Sequence, residues 1–316
     1  MNRNSPSASP VETHYAEFFG AIADMAPGLL HLHYGVCDSA PTTPWHAFRA
    51  LAHGPAALLD ALWDAGEVAR LPAGARGLDL GCGLGGTSSE LARRFGLRMA
   101  AMDRTRSQAR RAHQRLRRLP HGDRVAVAQA SGVALPFASR AFQLAVTIEV
   151  LFHVADKPAV FAEVARVLAP GGCWLIVDQE NHDAGNGLSE LFHFAERGDI
   201  ERLGARVGLA LAREVDLSPG VARWMGLYAR MAAPAWQAAL VPLALARGGP
   251  ALARRYLRGI RTYEQLVLEN AARSGLVAPD ASARGAIRRL RLHTQRCLED
   301  GSVAYKIWVL RRDGAS

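Results

Sequence analysis

The stretch GLDLGCGLGGTSSELARRFGLRMAAMD, Gly77 to Asp103, restricts the fold more than any other part of the chain. It reads as an apolar strand, a glycine-rich turn, a helix and a second apolar strand that ends on an acid. Gly81 and Gly83 let the backbone turn tightly and present N–H groups to a ligand at the start of the helix. Asp103 stands at the tip of the next strand, 22 residues beyond Gly81, where a carboxylate accepts both hydroxyls of a ribose. Gly81, Gly83 and Gly86 also satisfy the GxGxxG spacing of dinucleotide sites, which by itself decides little. Asp79 argues for a different ligand. A carboxylate two residues before the turn repels a pyrophosphate and favours a cationic sulfonium or ammonium group.

Around this segment the pattern alternates. Strands are expected near 76–80, 98–102, 124–129, 142–148 and 173–178, and again over 207–215. Helices are expected over 86–95, 105–118 and 156–168. Such alternation implies a parallel sheet covered on both faces. Before it come a helix over 11–30, a loop from His31 to Pro44 and a helix over 45–65. After it, residues 219–299 read as helices over 220–232, 235–247, 250–272 and 283–299, and 302–310 as a closing strand. The expected division is a disordered tail (1–10), an N-terminal helical lid (11–66), a ligand-binding core (67–218), a helical insertion over an acceptor pocket (219–299), and a final core strand and tail (300–316).

Composition narrows the classes further. Cys37, Cys82, Cys173 and Cys297 are scattered with no CxxC pair, so neither a zinc site nor a disulfide framework is expected. Residues 1–10 carry no apolar signal region and no run of 18 apolar residues occurs, which leads to the expectation of a cytoplasmic protein. The net charge of +9 is unevenly placed: residues 218–316 hold 16 Lys+Arg against 6 Asp+Glu. With only Lys157 and Lys306 as lysines, codon bias accounts for much of this, and solvated helix faces are the default for the Arg254–Arg261 and Arg288–Arg291 clusters. The alternative is a basic face that meets an anionic or membrane-held acceptor, with peripheral attachment to a membrane surface. No motif of nucleic-acid recognition accompanies the charge.

The chain resembles the class I S-adenosylmethionine-dependent methyltransferases, in the branch that acts on small molecules such as tocopherols, sterols and prenyl diphosphates. The resemblance rests on LDLGCGLGG (78–86), AMD (101–103), ALPF (134–137), FQLAVTIEVLFHVADKPAVFAEVARVLAPGG (142–172) and WLIVD (174–178). Looser similarity covers HLHYGVCD (31–38), DLSPGVARWM (216–225) and DGSVAYKIWVL (300–310). It implies an α/β, Rossmann-like seven-stranded core and S-adenosyl-L-methionine as cofactor. Gly81 and Gly83 would line the methionine part, with Asp79 near its ammonium. Asp103 would bind the ribose and Gln108 would lie close to it. Ser131 and Gly132 fall where an Asp and its neighbour flank the adenine, Ser being the weaker acceptor for the amino group. Gln143 replaces an Asp at a structural position, and Tyr34 would approach the cofactor from the lid.

On the acceptor side, methyl transfer from a sulfonium is an in-line displacement that needs alignment and exclusion of water. Oxygen acceptors also need a base, and alkene carbons need a carboxylate or aromatic face to steady a cation. Glu149 and His153, four apart after the fourth strand, are the expected catalytic pair. A packed or structural role is the competing reading for both, as it is for the loop histidines His31 and His33. Trp224, Tyr228 and Trp236 are expected pocket walls or helix core.

The expected activity is methylation of a carbon or oxygen of a small, largely apolar metabolite, an isoprenoid or polyketide-like natural product, with no metal and no nucleic-acid partner. The rivals are a nucleic-acid methyltransferase, which lacks an NPPY-type tetrapeptide here; an NAD(P)-dependent oxidoreductase, which leaves Asp79 and RVLAPGG unexplained; and a non-catalytic protein on the same fold.

Overall fold

The computed structural model describes residues 15–25, 31, 33–186, 188, 192–273, 275 and 283–314. The expected tail (1–10), both ends of the 11–30 helix and most of the 274–282 connection lie outside the described residues. A π-helical turn, Tyr15–Phe19, leads into α1 (Gly20–Met25), and α2 (Pro44–Ala65) follows. The core then runs β1 (Arg76–Leu80), α3 (Gly86–Phe95), β2 (Arg98–Asp103), α4 (Arg106–Leu116), β3 (Val125–Gln129), β4 (Phe142–Ile148), α5 (Lys157–Val167), β5 (Leu168–Asn181), β6 (Ala195–Glu196), α6 (Asp199–Arg206) and β7 (Leu209–Asp216). The chain closes with α7 (Ser218–Leu227), a second π-helical turn, α8 (Ala233–Arg273), α9 (Ala283–Asp300) and β8 (Val303–Arg312).

The sheet order is β3-β2-β1-β4-β5-β8-β7. All pairs from β3 to β5 are parallel, and β8 runs antiparallel between β5 and β7. This is the Rossmann-like order with its switch point between β1 and β4, where ligands bind beyond the strands' C-terminal ends. Two details differ from the sequence reading. The two-residue strand β6 pairs with β5 and adds an eighth strand to the seven expected. β5 begins at Leu168, because Leu168 pairs with Phe142 before the register shifts.

Both faces of the sheet are buried, and the pleat sorts the side chains. Cys173, Leu175 and Val177 of β5 and Tyr305, Ile307 and Val309 of β8 pack with Leu58 and Leu62 of α2, Leu91 of α3 and Leu298 of α9. Trp174, Ile176, Trp308 and Leu310 point the other way, onto Val160, Phe161 and Val164 of α5 and Ile200 of α6. Strands buried on both sides explain their near-continuous apolar runs. Local signals set the helix starts: the Thr43 side chain accepts from the His46 N–H at 3.1 Å, and Asp156 accepts from Ala159 N–H at 3.1 Å.

The helix pair expected over 235–247 and 250–272 is present as the two arms of α8, separated by a kink of non-helical backbone at Gly248 and Gly249. On α8 sits a separate apolar cluster that receives the N-terminal segment: Ala21 and Met25 pack with Leu240, Ala244, Leu252, Ala253 and Tyr256. Phe18 stacks on Tyr256 with ring centroids 5.8 Å apart. Two of the arginines expected to be solvated or substrate-facing, Arg255 and Arg258, join this contact. Arg255 binds the Asp24 carboxylate and donates to the Gly20 carbonyl at 3.0 Å, Arg258 stands 3.6 Å from Glu17, and Arg111 of α4 reaches Asp24 at 2.6 Å. No helix of the described residues is long and apolar enough to cross a membrane.

Gly259 allows this docking, since a Cβ there would lie 2.4 Å from the Phe18 backbone nitrogen. Gly259→Leu is therefore expected to force the segment off α8, at a cost of about 1–3 kcal/mol of overpacking. Chemical denaturation checks the loss, and faster proteolysis before Met25 checks its location.

Candidate active site

A cavity of about 660 Å³ opens at the C-terminal ends of β1, β2 and β4. One side is the glycine turn. Gly81 takes φ +78°, and a Cβ there would meet Val150 Cγ2 at 2.4 Å, so no other residue fits. The N–H groups of Gly81 and Cys82 both donate to the Met102 carbonyl at 2.8 Å, which ties the turn to β2. Gly83, at φ +52°, donates to Asp103 Oδ2 at 3.0 Å, and Thr105 N–H donates to Oδ1 at 2.7 Å. Asp103 thus stabilises the loop even without a ligand. Burial still pushes its carboxyl above the usual range, outweighing these two bonds.

Asp79, at the end of β1, is 3% exposed. Its Oδ2 accepts from Ser88 N–H at 3.1 Å and Ser88 Oγ–H at 2.7 Å, in the first turn of α3. Burial nevertheless raises it to about 6, with a smaller push from Asp103. Gln108 is 1% exposed, and neither its Oε1 nor its Nε2 has a partner. A buried, unsatisfied amide costs about 1–3 kcal/mol, which a polar ligand in the cavity it lines would offset. Ser131 and Gly132, held in a short bridge to Ala134, complete this half. Two acids, an orphaned amide and a glycine turn suit a nucleoside that carries a cation. Gln143, outside the cavity, accepts from Arg76 N–H at 2.8 Å and serves the structural role expected of it.

The other half is aromatic and weakly basic. Phe19, Phe152 and Phe192 line it with His31, His33, His153 and Glu149. Glu149 sits at φ +55°, a left-handed conformation that is costly for a non-glycine residue. Its Oε1 accepts from Tyr34 N–H at 2.8 Å and from the Tyr305 hydroxyl at 2.6 Å. Burial lifts Glu149 to about 7 against the pull of these two donors. Burial lowers His31, His33 and His153 to about 4, so all three imidazoles are neutral at pH 7. His153 follows Glu149 on a 3₁₀ turn, Leu151–His153, that Asp178 holds by accepting from Val150 and Leu151 N–H at 3.2 and 2.7 Å.

Most sequence-expected site residues therefore converge: Asp79, Gly81, Gly83, Asp103, Gln108, Ser131, Gly132, Glu149 and His153 all line one cavity. Tyr34 does not. Its ring lies toward Tyr305 and Trp224, 6.0 and 6.2 Å between centroids, and its backbone N–H donates to Glu149. Trp224 and Tyr228 stack on each other at 5.3 Å and form no part of the cavity wall, and the Trp236 side chain lies outside the described residues. The sequence reading missed the aromatic walls Phe19, Phe152 and Phe192, of which only Phe152 falls in a quoted motif.

Known proteins match this chain in part of its sequence and in its fold. Residues 78–176 match the family described as "Methyltransferase domain". "Methyltransferase GfsG" of Streptomyces halstedii is 38% identical over 106 residues, 34% of this chain and 38% of that protein. The chain thus spans well under half of that relative's length. The "27-O-demethylrifamycin SV methyltransferase" of Amycolatopsis mediterranei is 27% identical over 72% of this chain and 80% of its own. Among solved structures, geranyl diphosphate C-methyltransferase from Streptomyces coelicolor, in complex with Mg2+, geranyl diphosphate and S-adenosyl-L-homocysteine, superposes with a TM-score of 0.66. It is 20% identical, over 98% of this chain and all of that one. Residues 78–176 thus match a methyltransferase domain, the solved neighbours share the fold, and S-adenosylmethionine is the cofactor that this match supports.

The bond from Tyr305 to Glu149 joins the last strand to the end of β4. Tyr305→Phe is expected to lower stability by roughly 1 kcal/mol and to raise the Glu149 pKa further. Thermal unfolding and carboxyl infrared bands against pH check the two effects.

Proposed function

We propose that the chain transfers the methyl group of S-adenosylmethionine to an oxygen of a small, largely apolar natural product. The observation that carries this reading is the lining of one cavity, which joins Asp79, Asp103, Gln108 and the glycine turn with phenylalanines and neutral imidazoles. When bound, S-adenosylmethionine supplies an electrophilic methyl group. Asp79 would face its ammonium, Asp103 and Gln108 its ribose, and Ser131 and Gly132 its adenine. Phe19, Phe152 and Phe192 would exclude water and align an apolar acceptor. Glu149 would hold the lid peptide over the acceptor, and His153 would line the acceptor's far side.

An acceptor oxygen suits neutral imidazoles, which can take a hydroxyl proton. Among the described lining residues Arg104 is the only arginine or lysine, and it adjoins Asp103 on the nucleoside side. That disfavours a diphosphate acceptor of the kind named for the Streptomyces coelicolor neighbour. The Amycolatopsis relative, named for an O-demethylated compound as the one it methylates, supports the oxygen reading. Carbon methylation is the second reading, favoured by Glu149, a carboxyl that could steady a cation beside aromatic rings.

Two outcomes test the cofactor half. Asp103→Ala is expected to weaken S-adenosylmethionine binding by about 1.5–3 kcal/mol, and Asp103→Asn by less. Calorimetry with unchanged affinity would remove Asp103 from the site. The pH dependence has a definite sign. Asp79 is raised to about 6, and a nearby cation favours its ionised form. Binding should therefore release a proton below about pH 6, and affinity should rise as pH climbs through that value. Calorimetry in buffers of different ionisation enthalpy reads both, and Asp79→Asn should flatten the profile.

A further inference from the structure

His33 is bound on one nitrogen only. Its Nδ1 lies 2.7 Å from the carbonyl oxygen of Tyr34, an acceptor, so Nδ1 carries the proton. Nε2 is then a bare lone pair. It is buried and has no partner, the only histidine nitrogen so placed among the described residues. An acceptor atom shut away from water is costly unless something donates to it. The cavity that His33 lines is where a donor can enter. A group with a lone pair and no proton accepts from a hydroxyl and cannot pair with an ether, a carbonyl or a carboxylate.

The other imidazoles are placed differently. The His153 ring is packed 3.9 Å from the Phe152 ring and 6.1 Å from Phe192. His31 meets His33 edge-on at 5.2 Å, and no backbone bond fixes its tautomer in the same way. The tautomer of His33 is set by a chain of contacts from three parts of the sequence: Tyr305 hydroxyl and Tyr34 N–H to Glu149, then Tyr34 carbonyl to His33. Orientation of one ring nitrogen by a hydrogen bond to the other is the usual way an imidazole base is prepared.

We infer that His33 is the general base of the reaction, taking the proton of a neutral acceptor hydroxyl on Nε2 as that oxygen attacks the methyl carbon. This rests on the oxygen-acceptor reading above. The O–CH3 bond forms, the CH3–S bond breaks with its pair left on sulfur, and the O–H proton passes to Nε2. One positive charge leaves the sulfonium and one arrives on the imidazole, so the net charge of the closed cavity does not change. Glu149 accepts from the N–H of Tyr34, the residue after His33, and His31 is the neighbouring titratable group on the same loop. On its own, burial holds the imidazole neutral, so the base is in its active form at pH 7. Glu149 acts as a positioning residue.

The test has two arms on the full chain. In the first, imidazole 15N NMR with S-adenosylhomocysteine bound is expected to show His33 as the Nδ1–H tautomer with unprotonated Nε2. Glu149→Gln, which keeps an acceptor for both donors, should preserve that state, and Glu149→Leu should mix the tautomers. An Nε2–H tautomer in the native protein overturns the inference. In the second arm, 2-naphthol and other apolar phenols and enols are screened with S-adenosylmethionine, by product mass. With any acceptor found, His33→Gln is expected to lower kcat by about 100-fold or more while KM changes little, and added imidazole should restore part of the rate to His33→Ala. Retention of native kcat by His33→Gln overturns the inference. If no hydroxyl acceptor is methylated while alkene carbons are, the oxygen reading falls and the base falls with it. If His33→Gln alone keeps its rate on a hydroxyl acceptor, the oxygen reading stands and only the base falls.

Discussion

The Glu149 carboxyl is the knot on which the site depends. It lies just beyond β4 in a conformation that non-glycine residues avoid, and it gathers donors from Tyr34, 115 residues before it, and Tyr305, 156 residues after it. Without that acceptor a buried tyrosine hydroxyl and a backbone N–H lose their partner together, each at a cost of about 1–3 kcal/mol. The strained backbone persists because three segments hold it at once. The cost appears in the raised pKa: a carboxyl tuned near neutrality contributes its hydrogen bonds without the full penalty of a buried charge.

The same economy of contacts organises the rest of the cavity. Asp103 secures the glycine turn through Gly83, and Asp79 closes onto α3 through Ser88, so both acids shape the loop before any ligand arrives. Asp178, itself raised to about 6 by burial, fixes the turn that carries His153. Carboxyls held at strand ends by backbone donors keep their positions whether or not the cavity is filled. A preorganised site of this kind avoids ordering its first ring of groups at the moment of reaction.

Local sequence made the core legible. The strand–turn–helix–acid run from Gly77 to Asp103 can be read locally, because its strands, turn, helix and acid all fall within 27 consecutive residues. Strands buried on both faces, such as β5, stand out as apolar runs for the same reason. Long-range capture was not legible. Nothing near Tyr34 signals that its N–H belongs to Glu149, so the sequence alone points the tyrosine toward the cofactor and gives His33 no more than a place in a loop. Likewise Arg255 looks like free surface charge until Asp24, more than 200 residues away, lies beside it. The two-residue β6 is too short to leave a periodic trace.

The basic C-terminal third shows how charge and function come apart in this chain. Arg255 and Arg111 converge on Asp24, and Arg258 adds a weaker contact to Glu17, so part of the excess that suggested an anionic partner is used to hold the N-terminal segment on α8. These pairs are partly exposed and individually weak, and the apolar seat around Tyr256 supplies most of the docking energy. Charge then acts on direction and register. Asp24 is drawn between α4 and α8, which places Phe19 at the cavity wall.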